Sequence, residues 1–128
     1  MATSSGFGPS AKLTVSPTRR DQTAVVCLAG ELDLYTVPIL RAVLEAEPVW
    51  DPPATQAVIL DLGGLVFCDS SGLGELIAVL NRAQAAGVRL LLSAVPAAVV
   101  RLLAITGLDK AFTVCPDLDA ALHRAVEG

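Results

Sequence analysis

The stretch AVILDLGGLVFCDSSGLGELIAVLNRAQAAG, residues 57–87, decides how this chain folds. It opens with an apolar run, residues 57–60, which ends at Asp61. A short apolar run bounded by turn signals predicts a buried strand. The glycine pair at residues 63–64 then predicts a turn, after which residues 65–68 bring the chain back. A strand and a loop therefore precede the polar residues that follow.

The second half of this stretch has the periodicity of an amphipathic helix. Its apolar positions are spaced i, i+3, i+4 and i+7 and comprise Leu73, Leu76, Ile77 and Leu80. Gly87 lies where a helix C-cap is expected. Asp69, Ser70 and Ser71 therefore lie where a strand and loop become a helix, beside backbone N–H groups that have no partner within the helix.

Two roles remain open for this polar tripeptide. Asp and Ser are preferred N-cap residues, worth about 1 kcal/mol each, so one of the three is expected to be a cap. A cap leaves a second hydroxyl and a carboxylate without a role. Gly72 and Gly74 follow, although each costs a helix about 1 kcal/mol relative to Ala, and they leave the surface around the serines bare. The pattern is consistent either with plain capping or with a serine that another molecule approaches closely.

Length and charge indicate the general class of protein. The chain has 128 residues, enough for one domain with one core, and 53% of them are hydrophobic. A net charge of −4, with no basic cluster beyond Arg19-Arg20, argues against binding to nucleic acid. The longest uncharged apolar span, residues 90–100, is shorter than the about 20 residues that cross a bilayer, and residues 1–12 lack a secretory signal. We expect a soluble cytoplasmic protein without membrane insertion.

Cysteine and histidine usage predicts no metal site and no disulfide framework. The three cysteines are scattered, no CxxC is present, and there is one histidine. Cys27 is expected to be a buried structural thiol. Cys68 is either a packed thiol or, beside a helix start, a thiol with a lowered pKa. His123 falls outside the apolar face of the last predicted helix, which favours solvent exposure over catalysis. Trp50 is either packed against the domain or an exposed binding platform.

The remaining segments alternate between strand and helix patterns. Residues 1–11 are rich in Ser, Gly and Pro, and we predict a disordered tail there, followed by one domain over residues 12–127. The further predicted strands cover 13–15, 23–29, 88–93 and 112–114, with a turn at 16–21, a loop at 47–56, and helices after the N-cap Thr36, at 96–105 and at 118–126. This order predicts a single α/β domain with a mixed, mainly parallel β-sheet, an N-terminal hairpin and about four α-helices.

Three motifs, in order along the chain, resemble the STAS domain family and, within it, the anti-sigma factor antagonists. The first is Gly30-Glu31-Leu32-Asp33 followed by Thr36, similar to that family's GELD-x-x-T segment. The second is Leu60-Asp61-Leu62 followed by FCDSSGLG at residues 67–74, similar to its phosphorylation segment. The third is Thr106-Gly107-Leu108 through Phe112, similar to its closing turn. The resemblance covers nearly the whole chain after Leu13.

The resemblance implies a regulatory protein that performs no chemistry itself and needs no cofactor. In such proteins the serine directly after the Asp, here Ser70, is phosphorylated by the partner, an anti-sigma factor that is also an ATP-dependent serine protein kinase. The unphosphorylated form binds that anti-sigma factor and frees a sigma factor. A PP2C-type serine phosphatase restores the active form. Ser71 is a competing acceptor, and the sequence leaves open which of the two serines is used.

The expected partner surface combines the motif residues with the side of the central helix that faces away from its apolar positions. On that side Glu75, Val79 and Arg82 are spaced i, i+4 and i+7, and Asp69, Asp33 and Glu31 would make the patch anionic. The complete predicted set is Glu31, Asp33, Thr36, Asp69, Ser70, Ser71, Gly72, Leu73, Gly74, Glu75, Val79 and Arg82.

Two other classes of protein compete with this interpretation. An enzyme with Ser70 or Cys68 as nucleophile is disfavoured, because there is no G-x-S-x-G elbow or GxxxxGK[ST] loop and His123 is the only imidazole. The stronger alternative is a non-switching STAS scaffold, or an adaptor, in a stress-signalling or membrane-transport complex. Incubation with a serine kinase and ATP discriminates between the two, because a switch takes up one phosphate and a passive adaptor takes up none.

Overall fold

The computed structural model describes residues 12–127, so the predicted tail at residues 1–11 lies outside the described residues. A five-stranded sheet with the strand order β1-β2-β3-β4-β5 forms the centre of the domain. The strands are β1 (Leu13–Arg20), β2 (Thr23–Leu32), β3 (Ala57–Cys68), β4 (Arg89–Ser93) and β5 (Thr113–Cys115). Strand β1 is antiparallel to β2, and the other neighbours are parallel. The predicted mixed, mainly parallel sheet with an N-terminal hairpin is confirmed.

Four α-helices cover the sheet unequally. They are α1 (Val37–Ala46), α2 (Ser70–Ala86), α3 (Ala97–Thr106) and α4 (Leu118–Glu127), with a short 3₁₀ helix at Leu108–Lys110. The larger core cluster contains residues from α1, α2 and α3 packed on one face, including Leu40, Leu76 and Leu103. The smaller cluster packs Ala121 of α4 against the other face. Helix α2 ends at Gly87, whose φ of 74° is the left-handed C-cap that was predicted.

The N-terminal hairpin is longer and tighter than the sequence predicts. Residues 16–21 were predicted to form a turn, but β1 extends to Arg20 and the turn contains only residues 21–22. Pro17 lies inside β1, opposite Val26. Proline is compatible with this position because β1 is an edge strand, where not every N–H group needs a ladder partner. The predicted turn at residues 16–21 is therefore wrong for residues 16–20, which belong to β1.

Strand β3 does not turn at its glycine pair, and this prediction was wrong. The strand continues from Ala57 to Cys68, pairing with β2 throughout but with β4 only as far as Asp61 opposite Ser93. The register with β2 shifts at two places, each adding a residue to β3. A Cβ on Gly64 would lie 2.8 Å from both the Cβ of Ala29 and the carbonyl oxygen of Leu28. The glycines therefore mark a bulge where two backbones approach closely.

Helix α2 is buried over a wider face than its apolar periodicity predicts. Leu73 and Leu76 are buried as expected, whereas Ile77 and Leu80 are only partly buried. Glu75 and Val79, predicted to face outward, are 6% and 4% exposed. The prediction of an outward face was wrong for these two residues, because α2 packs against α1 as well as against the sheet.

Candidate functional site

Two loop-to-helix junctions lie side by side at the carboxyl edge of the sheet. Leu32, the last residue of β2, pairs with Cys68, the last residue of β3. The backbone N–H of Asp69 donates to the carbonyl of Leu32 at 3.3 Å. Because β2 and β3 are parallel, the segment that leads into α1 and the segment that leads into α2 leave the sheet at the same edge. The first and second sequence motifs are thereby brought together.

Asp69 is the N-cap of α2. Its backbone is extended, and its Oδ1 accepts a hydrogen bond from the N–H of Gly72 at 2.9 Å. This is the usual geometry of an aspartate that satisfies an N–H group in the first turn of a helix. The expectation that one residue of the polar tripeptide is a cap is confirmed. Neither serine performs this task.

The two serines differ in their exposure to solvent. Ser70, the first residue of α2, is exposed, whereas Ser71 is partly buried. Within the described residues Ser70 donates no side-chain hydrogen bond, so its hydroxyl is not committed to the fold. The N-terminal end of a helix carries partial positive charge and tolerates an anion. The arrangement suits a hydroxyl that is modified from outside and then carries a negative group.

Thr36, at the start of α1, is committed to the fold. Its side chain is 2% exposed; Oγ1 donates to the carbonyl of Glu31 at 2.8 Å and accepts from the N–H of Asp33 at 2.9 Å. It occupies the predicted N-cap position but makes no capping hydrogen bond to the helix. The Oδ1 of Asp33 instead accepts from the N–H groups of Tyr35 and Thr36. The structure therefore does not place the side chain of Thr36 on an outer surface.

The two glycines of the first turns of α2 are present for different reasons. Gly72 is buried, and a Cβ there would lie 2.5 Å from the carbonyl oxygen of Leu32 and 2.9 Å from the Sγ of Cys68. The fold itself requires this glycine, which is an internal residue and not a surface one. A Cβ on Gly74 would meet no atom within 4 Å among the described residues. Gly74 is exposed and leaves open space beside Ser70, one helical turn along.

The predicted residues farther along α2 line a small groove between α1 and α2. Arg41 forms an ion pair with the buried Glu75 at 2.7 Å, and Arg82 pairs with Glu45 at 3.2 Å. The guanidinium of Arg82 also lies 5.7 Å from the ring centroid of Trp50, which is partly buried against the core. The groove has a volume of about 130 Å³. Of the three residues predicted for the outward face, only Arg82 is exposed.

The cysteines of this region are not activated thiols. Burial, with a smaller contribution from the carboxylate of Asp69, raises the pKa of Cys68 to about 11. Burial and the nearby Asp61 also raise the pKa of Cys27, which is partly buried. Of the two interpretations of Cys68, the packed thiol is correct, because burial outweighs the effect of the helix start. Within residues 12–127 no group of His, Cys, Asp and Glu side chains could hold a metal ion.

Four exposed apolar side chains at the same edge were missed by sequence reasoning. Leu34 and Tyr35 follow β2, and Val66 and Phe67 lie near the end of β3. The sequence contained a signal for them, because each pair lies outside the apolar periodicity of the element next to it. The predicted turn at the glycine pair hid this signal, since it assigned residues 65–68 to a returning segment. His123, by contrast, is exposed on α4 as expected.

Comparison with known proteins agrees with the motifs. The family profile of the STAS domain matches residues 14–121. The anti-sigma-B factor antagonist of Staphylococcus aureus is 32% identical over 96 residues, which are 75% of this chain and 86% of that protein. The crystal structure of an anti-sigma factor antagonist from Mycobacterium paratuberculosis superposes with a TM-score of 0.76 at 32% identity, covering 89% of this chain and 94% of that one.

A third relative, SpoIIAA, shares the fold at lower identity. In its unphosphorylated form it superposes with a TM-score of 0.72 at 23% identity, covering 90% of this chain and 98% of that one. In its phosphorylated form the TM-score is 0.67, with 87% and 98% covered. The fold is that of a STAS domain. The chain belongs to the STAS domain family and, within it, to the anti-sigma factor antagonists. No described helix is long and apolar enough to cross a bilayer.

Proposed function

We propose that this protein is a phosphorylation-controlled antagonist of an anti-sigma factor in the cytoplasm. In its unphosphorylated form it binds an anti-sigma factor that is also a serine protein kinase, and a sigma factor is released. Phosphorylation of Ser70 ends the interaction, and a PP2C-type serine phosphatase restores it. The observation that carries this proposal is the exposed hydroxyl of Ser70 at the first position of α2, with capping already supplied by Asp69.

The position of Ser70 supports a switch that leaves the fold intact. Phosphorylation adds a charge of about −1.5 to −2 and three acceptor oxygens. The start of α2 tolerates that charge, because the helix dipole and the free N–H groups of the first turn stabilise an anion. Since Ser70 is exposed and donates no hydrogen bond within the described residues, its modification removes no internal contact. The protein should stay folded while its surface changes.

The surroundings of Ser70 supply the reason for weaker binding after phosphorylation. Asp69 precedes it, and Glu31 and Asp33 lie in the adjacent segment at the same edge of the sheet. The phosphate adds charge to a region that already carries carboxylates, and it fills space that is open because Gly74 has no side chain. Repulsion and lost contact together need only about 3 kcal/mol to weaken a complex more than a hundredfold.

The proposal is tested by phosphate transfer from the purified anti-sigma factor kinase and ATP. We expect one phosphate per chain in the wild type and in Ser71→Ala, and none in Ser70→Ala. Peptide mapping identifies the serine that is used. Ser71→Ala is the matched control, because it removes the neighbouring hydroxyl from the same turn. Absence of phosphate from the wild type would favour a non-switching STAS scaffold or adaptor.

Binding of the same partner tests the consequence of phosphorylation. The Kd of the unphosphorylated chain is compared with those of the phosphorylated chain and of Ser70→Asp, each checked for an unchanged melting temperature. We expect both modified forms to bind more than a hundredfold more weakly. A phosphorylated chain that binds as tightly as the unphosphorylated one contradicts the mechanism.

A further inference from the structure

A group of large apolar side chains is exposed at the carboxyl edge of the sheet, beside Ser70. Leu34, Tyr35, Val66 and Phe67 are 63%, 83%, 81% and 51% exposed, respectively. We call these four residues the apolar shelf. Exposed apolar residues are common when they are scattered, but a group within one region indicates an interaction site. Two other large exposed apolar residues, Ile105 near the end of α3 and Val126 near the end of α4, belong to other elements.

The topology brings the two halves of the shelf together. Phe67 pairs with Glu31, and Cys68 pairs with Leu32, so the end of β3 lies beside the segment that contains Leu34 and Tyr35. Strand β3 extends beyond its last pair with β4, Asp61 opposite Ser93, which leaves Val66 and Phe67 outside the part of the sheet that β4 flanks. Ser70 follows Phe67 by three residues. The shelf therefore ends, at Phe67, three residues before the proposed phosphorylation site.

Nothing in the described fold accounts for these four residues. The core forms without them, since none belongs to either cluster of buried side chains or is among the side chains packed against those clusters. Keeping a tyrosine and a phenylalanine in water has no benefit for an isolated domain, whereas aromatic residues are enriched at the centres of protein interfaces. These side chains therefore point to a partner that covers them.

Charge identifies the kind of partner. The segments that form this edge, residues 30–40 and 62–74, carry the carboxylates of Glu31, Asp33 and Asp69, and the first basic residue beyond them is Arg41, whose guanidinium is paired with Glu75. Another basic residue, Lys12, lies beside this edge, and its carbonyl accepts from the N–H of Glu31. A complementary surface has an apolar centre and a basic rim. A second copy of this chain fits poorly, because pairing two such edges would bring like charges together in a protein with a net charge of −4.

We propose that the apolar shelf is the anchor of the docking surface for a protein partner that has an apolar centre and a basic rim. This inference rests on the proposed function, in which that partner is the anti-sigma factor. The shelf supplies the affinity of the complex, with Tyr35 and Phe67 as the main contacts. A phosphate on Ser70 then lies at the border of the contact that the shelf makes with the partner. There it acts on the partner, while the shelf residues themselves are unchanged.

The test compares truncations of the shelf with truncations of equally exposed apolar residues elsewhere. Tyr35→Ala and Phe67→Ala are the test variants. Ile105→Ala and Val126→Ala are the matched controls, since these side chains are 78% and 79% exposed. The Kd of each for the purified anti-sigma factor is measured by calorimetry, with thermal melting to check the fold. We expect each test variant to bind about tenfold or more weakly than the wild type, and the controls within about twofold.

The outcomes separate this inference from the proposed function. If Ser70→Asp loses binding while Tyr35→Ala and Phe67→Ala bind like the controls, the switch stands and the shelf is overturned. If the wild type neither binds the anti-sigma factor nor accepts phosphate, the proposed function and the role of the apolar shelf are both contradicted. Should Phe67→Ala lower the melting temperature, Tyr35→Ala decides alone, because that side chain is the most exposed of the four. Sedimentation in which the wild type dimerises and Tyr35→Ala does not would assign the shelf to a second copy and contradict the proposal.

Discussion

Two helices begin at the same edge of the sheet, and each has a hydroxyl at its start. Thr36 before α1 is 2% exposed and joins Glu31 and Asp33 through hydrogen bonds of 2.8 and 2.9 Å. Ser70 at the start of α2 is exposed, because Asp69 already caps that helix. The two hydroxyls are alike in sequence context and opposite in physical role. One is a structural group inside a loop, and the other is available to another protein.

The largest effect on stability is expected at Gly72, which joins the two helix starts. Gly72→Ala should lower the free energy of unfolding by about 3 kcal/mol, because the new Cβ would press on the backbone oxygen of Leu32. Urea denaturation measures this loss. A variant as stable as the wild type would show that the starts of α1 and α2 are not in tight contact at Gly72.

Thr36→Val and Ser70→Ala form a matched pair that removes one hydroxyl at each helix start. Thr36→Val should lower the free energy of unfolding by about 2 kcal/mol, because the N–H of Asp33 and the carbonyl of Glu31 lose their buried partner. Ser70→Ala should change it by less than about 0.5 kcal/mol. Equal losses in the two variants would mean that both hydroxyls are structural.

The thiol of Cys68, two residues before α2, should be unreactive although it lies near a helix start. Because burial and Asp69 raise its pKa to about 11, little thiolate is present at pH 8. Alkylation of Cys68 by iodoacetamide, followed by peptide mass spectrometry, should be at least about tenfold slower in the native chain than in urea. Equal rates would show that Cys68 in the native chain is as accessible and as ionised as in the unfolded chain.

A stabilising effect is expected at Gly74, where space is open. Gly74→Ala should raise the free energy of unfolding by about 1 kcal/mol, since alanine favours the helix and no described atom obstructs its Cβ. The same change should weaken binding of the anti-sigma factor, because it removes the space beside Ser70. Tighter or unchanged binding in the stabilised variant would show that the partner does not approach this turn closely.

Most of the fold was predictable because strands, helices and caps are determined locally. The alternation of apolar runs and helical periodicity predicted the order of the elements, and Gly87 marked the end of α2 correctly. The errors lay where tertiary contact decides the outcome. The glycine pair at residues 63–64 suggested a turn, but close approach of β2 turns it into a bulge. The predicted turn at residues 16–21 is likewise mostly strand, because the edge strand β1 accommodates Pro17.

The candidate site was predictable in its location but not in the roles of its residues. The sequence indicated that Asp69, Ser70 and Ser71 lie at a helix start, but not which one is the cap. It also placed Glu75 and Val79 on an outer face, because periodicity describes packing against one surface and α2 packs against two. Glu75 is buried through its ion pair with Arg41, a contact between helices that no local pattern reveals.

The most direct test of the account is a site-resolved map of phosphate on the native wild-type chain after reaction with the anti-sigma factor kinase and ATP. We predict one phosphate, located on Ser70, with none on Thr36 or Ser71 and a cooperative thermal transition that is retained. Phosphate on Thr36 or Ser71 with none on Ser70, or a chain that unfolds once Ser70 is modified, would contradict it.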